Sequence, residues 1–437
     1  MGFNRLPPEI LLRICELLCD DCQGWWDGKE PTPVYSFLQD PYTSLRALSL
    51  VCKSIGYIAQ RVLHRHFGYG LRDDSKSIVQ LCRTVSNNPN LARELRWVDL
   101  SLPDCDTAPE EVVEGWLPET INKLSHHLVN GGEGIPDMPL LIALILLQAP
   151  NIERLEDDRN SLHLTFEDVI RDHTLPPRLK QLRLGSSIHV INDLITVDLS
   201  WDRVGGFINN LKELESLIIY CPLASGVDER ISFESLRALR LRGFHMPPKD
   251  LENLLSRIPN LETFGFNRIY HRNYEMPEPA TGPEILRVLV KRNDTLRRLE
   301  LNMSCTHDNV KALLELTKLE ELRMGLGASH RNHYSRGRAI GKQYFKSIMP
   351  PSLRKLHLVV YKTETFEETS DALMTYISST YRQSPDDQRL QMVHINPPEY
   401  STCWAADQED AFQQGCQLWA KNGTLVFEHD WTQWYCR

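Results

Sequence analysis

The stretch LRALRL at residues 236–241 decides the fold, because its spacing of apolar residues recurs along most of the chain. The template L-x-x-L-x-L begins at ten positions, with Ile, Val, Phe or Met in place of some leucines. The first residues of these copies are Leu95, Ile152, Leu179, Leu214, Leu236, Leu261, Leu296, Leu319, Leu353 and Leu390. A pattern that recurs in this way is typical of a protein built from stacked structural repeats.

Alternation inside the template predicts a strand in each copy. Its fourth and sixth residues face the interior and the residues between them face outward, because side chains alternate along a strand. Prolines such as Pro176 and Pro259 stand before the template, and proline ends a preceding helix. Apolar residues at helical spacing, such as Leu251, Leu254 and Leu255, precede some copies. We therefore expect an α/β, leucine-rich-repeat-like solenoid over residues 71–396, with parallel strands inside and helices outside.

The spacing between copies is uneven. Successive copies start 22 to 57 residues apart, and several intervals fit the roughly 20–29 residues of leucine-rich repeats. The longest interval predicts one degenerate repeat between Leu102 and Pro150. Asp157 stands where the template expects an apolar residue, which is a second sign that the repeat pattern is degenerate there. Within this interval the aliphatic run Leu140–Leu147 predicts a short buried helix, since a membrane span needs about 20 residues.

Residues 1–70 predict a small helical module. In LPPEILLRICELL, residues 6–18, the apolar side chains form one helical stripe, and a second apolar set follows from Leu45 to Phe67. Residues 19–41 between them form a Gly-, Pro- and Trp-rich insert. Because so few short helices bury little surface alone, the module should lean on a partner or on the repeats.

The motifs L-P-x-E-I-L at residues 6–11 and L-S-L-V-C-K at residues 48–53 resemble an F-box. With the repeats, the chain resembles the fungal-type F-box proteins that carry leucine-rich repeats. This resemblance implies an all-α F-box module that docks onto the Skp adaptor of an SCF-type ubiquitin ligase and, through the adaptor, onto a cullin. The residues that it implies for adaptor binding are Leu6, Pro7, Glu9, Ile10, Leu11, Ile14, Leu18, Leu48, Val51 and Cys52.

Two functions remain open at this point. In the first, the chain is the non-catalytic substrate-recognition subunit of such a ligase and holds a protein substrate on its repeats. In the second, it is a repeat scaffold or adaptor protein outside any ligase, whose N-terminal helices only cap the solenoid. The sequence contains no nucleotide-binding, hydrolase or metalloprotease motif, so we expect no enzyme activity in the chain itself.

The outward strand positions suggest where a substrate would bind. Basic and aromatic residues gather there in the middle and later repeats: Arg183, Tyr220, Arg240, Arg242 and Arg323. Guanidinium groups suit carboxylates and phosphates, and tyrosine supplies an amphipathic anchor. The predicted client segment is thus acidic or phosphorylated, and a solvated face without preference is the alternative.

Composition limits the remaining possibilities. The 437-residue chain has a formal charge of −9, which argues against a general nucleic-acid binder. Its 11 cysteines are scattered and odd in number, so reduced thiols and a cytoplasmic or nuclear location are expected. The isolated pair Cys19 and Cys22 gives no zinc pattern, and we expect neither metal nor cofactor. The basic loop 330–346 is interpreted as a surface insertion, and the Trp-rich residues 397–437 as a C-terminal cap.

Overall fold

The computed structural model describes residues 6–19, 22, 43–68, 76–100, 117–124, 137–157, 176–185, 208–220, 231–242, 246–267, 280–302, 311–326, 345–346, 349–360, 372–373, 375–376, 390 and 392–396. Most of the insert 19–41, most of the loop 330–346 and the whole predicted cap 397–437 lie outside the described residues. The described chain forms two compact units, one up to residue 215 and one from residue 216 onward.

Within the described residues, the first unit opens with helices α1 (Pro8–Leu17), α2 (Thr43–Ser49) and α3 (Lys53–Leu63). Pro8 occupies the first turn of α1, where a missing N–H costs nothing, and Glu9 complements the positive end of the helix. The helices share a buried core, whose members are Leu11, Cys15, Cys19, Leu45, Ile55, Ile58, Ala59 and Val62. We call residues 6–63 the helical module.

Gly56 lets α2 and α3 approach closely. A Cβ atom on Gly56 would lie 2.5 Å from the Ser49 carbonyl oxygen, a distance that real Cβ atoms essentially never show. Any larger residue at this position would therefore push the two helices apart.

Helix α3 leads directly into the first strand, β1 (His66–Phe67), which the template does not predict because two residues show no periodicity. Strand β1 pairs in parallel with β2 (Trp97–Asp99). Two ion pairs join the helical module to its surroundings. Arg65 Nη1 donates to Glu16 Oε1 on α1 (2.6 Å), and Arg61 Nη2 lies 2.7 Å from Glu94 Oε1.

The rest of the first unit follows in chain order. It comprises α4 (Lys76–Asn87), α5 (Pro89–Glu94), α6 (Leu117–Leu124), α7 (Asp137–Gln148), β3 (Arg154–Asp157) and β4 (Gln181–Leu184). Helix α7 contains the predicted buried run, with Leu140 to Leu146 almost fully inaccessible. The predicted degenerate repeat in this interval is wrong as a member of the sheet, because β2 pairs directly with β3, Trp97 opposite Arg154. The extra residues there add helices α6 and α7.

The second unit holds strands β5 (Ser216–Tyr220), β6 (Ala238–Arg242), β7 (Thr263–Asn267), β8 (Arg298–Asn302), β9 (Glu321–Leu326), β10 (Lys355–Val360) and β11 (Met392–Asn396). Its helices are α8 (Pro248–Ser256), α9 (Gly282–Val290) and a 3₁₀ helix at Lys311–Glu315. These strands pair in parallel and in chain order. Helix α9 begins with a capping box, in which Thr281 N–H donates to Glu284 Oε2 (2.8 Å).

All ten template copies contain a strand, and burial follows the predicted alternation in β4, β5, β6, β8 and β10, whereas adjacent residues are buried in β2, β3 and β7. In β6, for example, Leu239 and Leu241 are fully buried while Arg240 and Arg242 between and beside them are half-buried. Parallel strands and intervening helices with this pattern are consistent with an α/β leucine-rich-repeat-like fold in each unit. No helix in the described part of the chain is long and apolar enough to cross a membrane.

Candidate interaction surfaces

The helical module exposes most of the large apolar side chains that the described chain leaves accessible. Eight such side chains are exposed among the described residues, and all but Leu314 belong to the module. We call these seven the apolar face: Leu6, Ile10, Leu17, Leu18, Leu50, Val51 and Tyr57. Leu50 is the most accessible, at 85% exposed. Because exposed apolar patches mark interaction sites, a small module that leaves this many large apolar side chains accessible is a candidate for one.

Helical geometry explains which side chains stay outside. Leu11 and Cys15 are four residues apart, so both point from α1 into the module core. Ile10 and Leu17 are seven residues apart and share another side of the same helix, where both are exposed. The connection between α2 and α3 adds Leu50 and Val51.

The structure places the ten residues predicted to bind the adaptor in three environments. One group is exposed: Leu6, Pro7, Glu9, Ile10, Leu18 and Val51. A second group is half-buried: Ile14, Leu48 and Cys52. Leu11 is buried in the module core, so it supports the surface from beneath. Leu17, Leu50 and Tyr57 are missing from the prediction, although Leu17 and Leu50 stand inside the two stretches, 6–18 and 48–53, that carry the resemblance.

Cys52 lies next to Val51 of the apolar face. Its Sγ lies 3.3 Å from Ser54 Oγ, at the N-terminus of α3. Hydrogen bonds from the Ser54 side chain, and then from the Ile55 backbone N–H, lower the pKa of the Cys52 thiol. Cys15 behaves in the opposite way, because burial and then the nearby Glu16 carboxylate raise the pKa of its thiol.

On the outward side of the first unit, ring stacking and ion pairs form one network. His66 stacks on Trp97 with ring centroids 3.8 Å apart, and the Arg154 guanidinium lies 4.2 Å from the Trp97 ring centroid. Arg154 Nε donates to Glu156 Oε1 (2.6 Å), and Arg183 Nη1 donates to Glu156 Oε2 (3.1 Å). The Glu156 side chain is only 5% exposed, and each of its carboxylate oxygens is paired with an arginine. Arg183, predicted to bind substrate, is thus engaged within the protein.

The outward side of the second unit is organised around two carboxylates. Arg240 on β6 reaches Glu300 on β8 across the intervening strand β7, with Nε 3.5 Å from Oε2. Glu321 lies 3.6 Å from Arg298 Nε and 3.7 Å from His357 Nε2. These carboxylates are absent from the predicted site. Aligning the template copies would have found Glu300, because it occupies the same outward position as Arg323 in the next copy, and the two residues are paired in the sheet.

The predicted substrate-binding residues are only partly brought together. Arg240 and Arg242 lie on β6 two residues apart, and Arg323 lies on β9 of the same unit, where it is half-buried. Tyr220 belongs to β5, and its side chain lies outside the described part of the structure. Arg183 belongs to the first unit. In the described ranges, no three His, Cys, Asp or Glu side chains are grouped so as to hold a metal ion.

Comparison with known proteins adds similarity at the level of fold. No family model matches the chain, and no curated protein matches its sequence. A leucine-rich-repeat-containing protein, LegL7 of Legionella pneumophila, is similar over 71% of this chain and 98% of its own, with 12% identity and a TM-score of 0.36. The yeast Rad7–Elc1 complex is similar over 81% of this chain and 90% of the matched chain, with 13% identity and a TM-score of 0.39. An internalin (inlF) of Listeria monocytogenes has 13% identity, is similar over 59% of this chain and 65% of its own, and has a TM-score of 0.26.

These likenesses are too distant to carry an argument about function. The repeat assignment rests instead on the order and register of the parallel strands and on the alternation of burial within them.

Proposed function

We propose that the chain is the substrate-recognition subunit of an SCF-type ubiquitin ligase, with the helical module acting as its F-box. The observation that carries the proposal is the apolar face, because seven large side chains among the described residues of a small helical module remain in water. Burying one Leu, Ile or Val side chain contributes about 1.5–3 kcal/mol. Covering several of them with a Skp-type adaptor would therefore stabilise a complex substantially.

In this proposal the chain contributes proximity and performs no chemistry. The adaptor brings the cullin, and the cullin brings a conjugating enzyme charged with ubiquitin. The repeats hold a protein client so that its lysine stays near the reactive thioester. Holding two reactants together raises their effective concentration by orders of magnitude, and no acid or base from this chain is required.

The rival function is a repeat scaffold outside any ligase, with the helical module as a cap. A cap exists to cover apolar surface, so its own large side chains should be buried against the repeat that it closes. Here Leu11, Leu45 and Val62 are buried in the module's own core, and the side chains of the apolar face are exposed to solvent. This arrangement favours a docking module over a cap.

The test is capture of the full-length chain by a purified Skp-type adaptor. Ile10→Asp and Val51→Asp place a charge on the apolar face, so we expect each to weaken capture more than tenfold, since 1.4 kcal/mol corresponds to a factor of ten. Gln80→Asp is the matched control, because Gln80 is exposed on α4, outside the helical module. Undiminished capture of both aspartate variants would remove the ligase proposal, and circular dichroism would confirm that each variant remains folded.

A further inference from the structure

One side chain of the apolar face is connected to the repeats. Tyr57 on α3 is 63% exposed, and Arg61 stands four residues further along the same helix. Residues four apart lie on the same side of a helix. The Arg61 guanidinium lies 5.9 Å from the centroid of the Tyr57 ring, within the range of a cation–π interaction. The aromatic member of the apolar face therefore has a cation beside it.

A residue at the start of the repeats holds that cation in place. Arg61 Nε donates to Glu94 Oε1 (2.8 Å), and Arg61 Nη2 lies 2.7 Å from the same oxygen. These are the distances of charge-assisted hydrogen bonds. Glu94 ends α5 and directly precedes Leu95, where the first template copy begins. Two contacts to one oxygen fix the orientation of the guanidinium, so the geometry beside Tyr57 depends on a side chain outside the helical module.

The pair between Arg65 and Glu16 provides a comparison. Arg65 Nη1 donates to Glu16 Oε1 (2.6 Å), and the side chains of this pair are less exposed than those of Arg61 and Glu94. Neither Arg65 nor Glu16 belongs to the apolar face. This pair therefore serves stability, whereas the pair of Arg61 and Glu94 also reaches an exposed aromatic side chain.

We propose that Glu94 is a positioning residue for the adaptor: it fixes Arg61, and Arg61 in turn fixes the Tyr57 ring before docking. This inference rests on the proposed function, because the adaptor is the partner that Tyr57 contacts in that scheme. Tyrosine side chains are prominent among the residues that dominate binding energy at interfaces. An exposed side chain that changes rotamer freely loses this freedom on binding, and the loss weakens affinity. A ring that is already held in place avoids much of it.

The consequence is that the docking surface is not a property of the helical module alone. The first repeat completes it through a side chain that acts at a distance, by way of Arg61. Removing the Glu94 carboxylate leaves the apolar face intact in composition and releases only the guanidinium that orders its aromatic ring.

The first test is a double-mutant cycle on the intact chain. Binding to an immobilised, purified Skp-type adaptor is measured by biolayer interferometry at about 0.15 M salt. We expect Glu94→Gln and Tyr57→Leu each to weaken binding by about threefold or more, as the loss of a cation–π contact would. In the Tyr57→Leu background, Glu94→Gln should change affinity by less than about 1.5-fold, because the ring through which it acts is gone. Independent contributions would instead multiply.

A charge swap separates positioning from simple stabilisation. Arg61→Glu combined with Glu94→Arg restores an ion pair, so unfolding in urea should recover most of the stability that Arg61→Glu alone loses. The face of an aromatic ring is electronegative, so a carboxylate at position 61 does not hold Tyr57. Adaptor binding by the swapped variant should therefore stay about threefold or more weaker than in the wild type. If the pair served stability alone, binding would recover together with stability.

Glu16→Gln is the matched control, because it removes the carboxylate that pairs with Arg65 and leaves the contacts of Arg61 in place. It should lower the stability in urea while changing adaptor binding by less than about twofold, since its partner does not touch the apolar face. A loss of binding in this control as large as that in Glu94→Gln would show that both pairs act through stability.

Three further outcomes would overturn the positioning role: unchanged binding by Glu94→Gln, multiplied losses in the cycle, and full recovery of binding in the swapped variant. Lost capture by Ile10→Asp with unchanged binding by Glu94→Gln defeats the positioning role and leaves the ligase proposal standing. A wild-type chain that the adaptor does not capture defeats the ligase proposal and this inference with it.

Discussion

Neighbouring residues of α1 differ in solvent exposure, and this difference determines which apolar side chains the N-terminal surface presents. Ile10 is half exposed while Leu11 is buried, because one step along a helix turns the side chain by about 100°. The core of the module needs only one side of each helix, so the apolar residues beyond that side stay in water. At Cys52 a different local feature acts, because the Ser54 side chain and then the Ile55 backbone N–H at the start of α3 lower the pKa of its thiol.

The lowered pKa of Cys52 gives a prediction for thiol chemistry. Because the thiolate is stabilised by Ser54 and by backbone N–H groups, its alkylation rate should rise at lower pH than that of an ordinary cysteine. Iodoacetamide labelling of the native protein at about pH 6 to 9, read by mass spectrometry, measures this. Ser54→Ala should move the Cys52 profile back toward higher pH.

Cys82 provides the internal reference for this labelling. Burial raises the pKa of its thiol to about 12, so it should stay unlabelled over the same range until the protein unfolds. Equal pH profiles at Cys52 in the wild type and the Ser54→Ala variant would contradict the assigned hydrogen bond.

At the scale of the strand-plus-helix elements, the second residue of the template alternates in charge along the chain. These residues are Arg96, Glu153, Lys180 and Glu215 in the first unit and Arg237, Glu262, Arg297, Glu320 and Arg354 in the second. Within the second unit, Arg237 Nη1 lies 2.7 Å from Glu262 Oε1, and Arg297 Nη1 lies 2.7 Å from Glu320 Oε1. In this second-unit row each inner charge has an opposite neighbour on both sides, so one-step errors in repeat pairing would bring like charges together.

Charge reversal distinguishes a row of coupled charges from isolated pairs. Arg297→Glu should lower the free energy of unfolding by about 0.5–1 kcal/mol, because exposed pairs contribute little individually. Adding Glu320→Arg restores the pair, but it sets the new carboxylate at position 297 beside Glu262 and the new guanidinium at position 320 beside Arg354. We therefore expect less than half of the loss to be recovered in urea unfolding at low salt.

High salt should reduce both the loss of stability in the single variant and the partial recovery in the double variant, since exposed charges are screened over about 10 Å at 0.1 M. Full recovery in the double variant would indicate that the pairs act independently and that the alternation has no collective role.

At the scale of the whole molecule, stability is distributed over two compact units with separate buried residues. Repeats contact their neighbours, so a defect weakens its surroundings more than distant parts of the chain. Leu254 on α8 and Val62 on α3 are both fully buried, one in each unit. They allow matched cavities to be made in the second and the first unit.

Leu254→Ala should cost about 2–5 kcal/mol locally, because it leaves a cavity in a packed core. Hydrogen exchange with mass spectrometry should show lost protection in β6, α8 and β7, with helices α1–α3 unchanged. Val62→Ala should give the reverse pattern. A uniform loss across both units in either variant would show that the chain unfolds as one cooperative body.

Ten of the eleven described strands could be located from the sequence, because alternation with a period of two is a local property that six residues can express. The sequence also located the helical module and the buried run of α7. Only the folded chain shows that β2 pairs directly with β3, that Glu156 engages Arg183, and that Arg240 reaches Glu300 across β7. These outcomes depend on which strands become neighbours and on how far long side chains extend across the sheet, and the periodicity of a single segment determines neither.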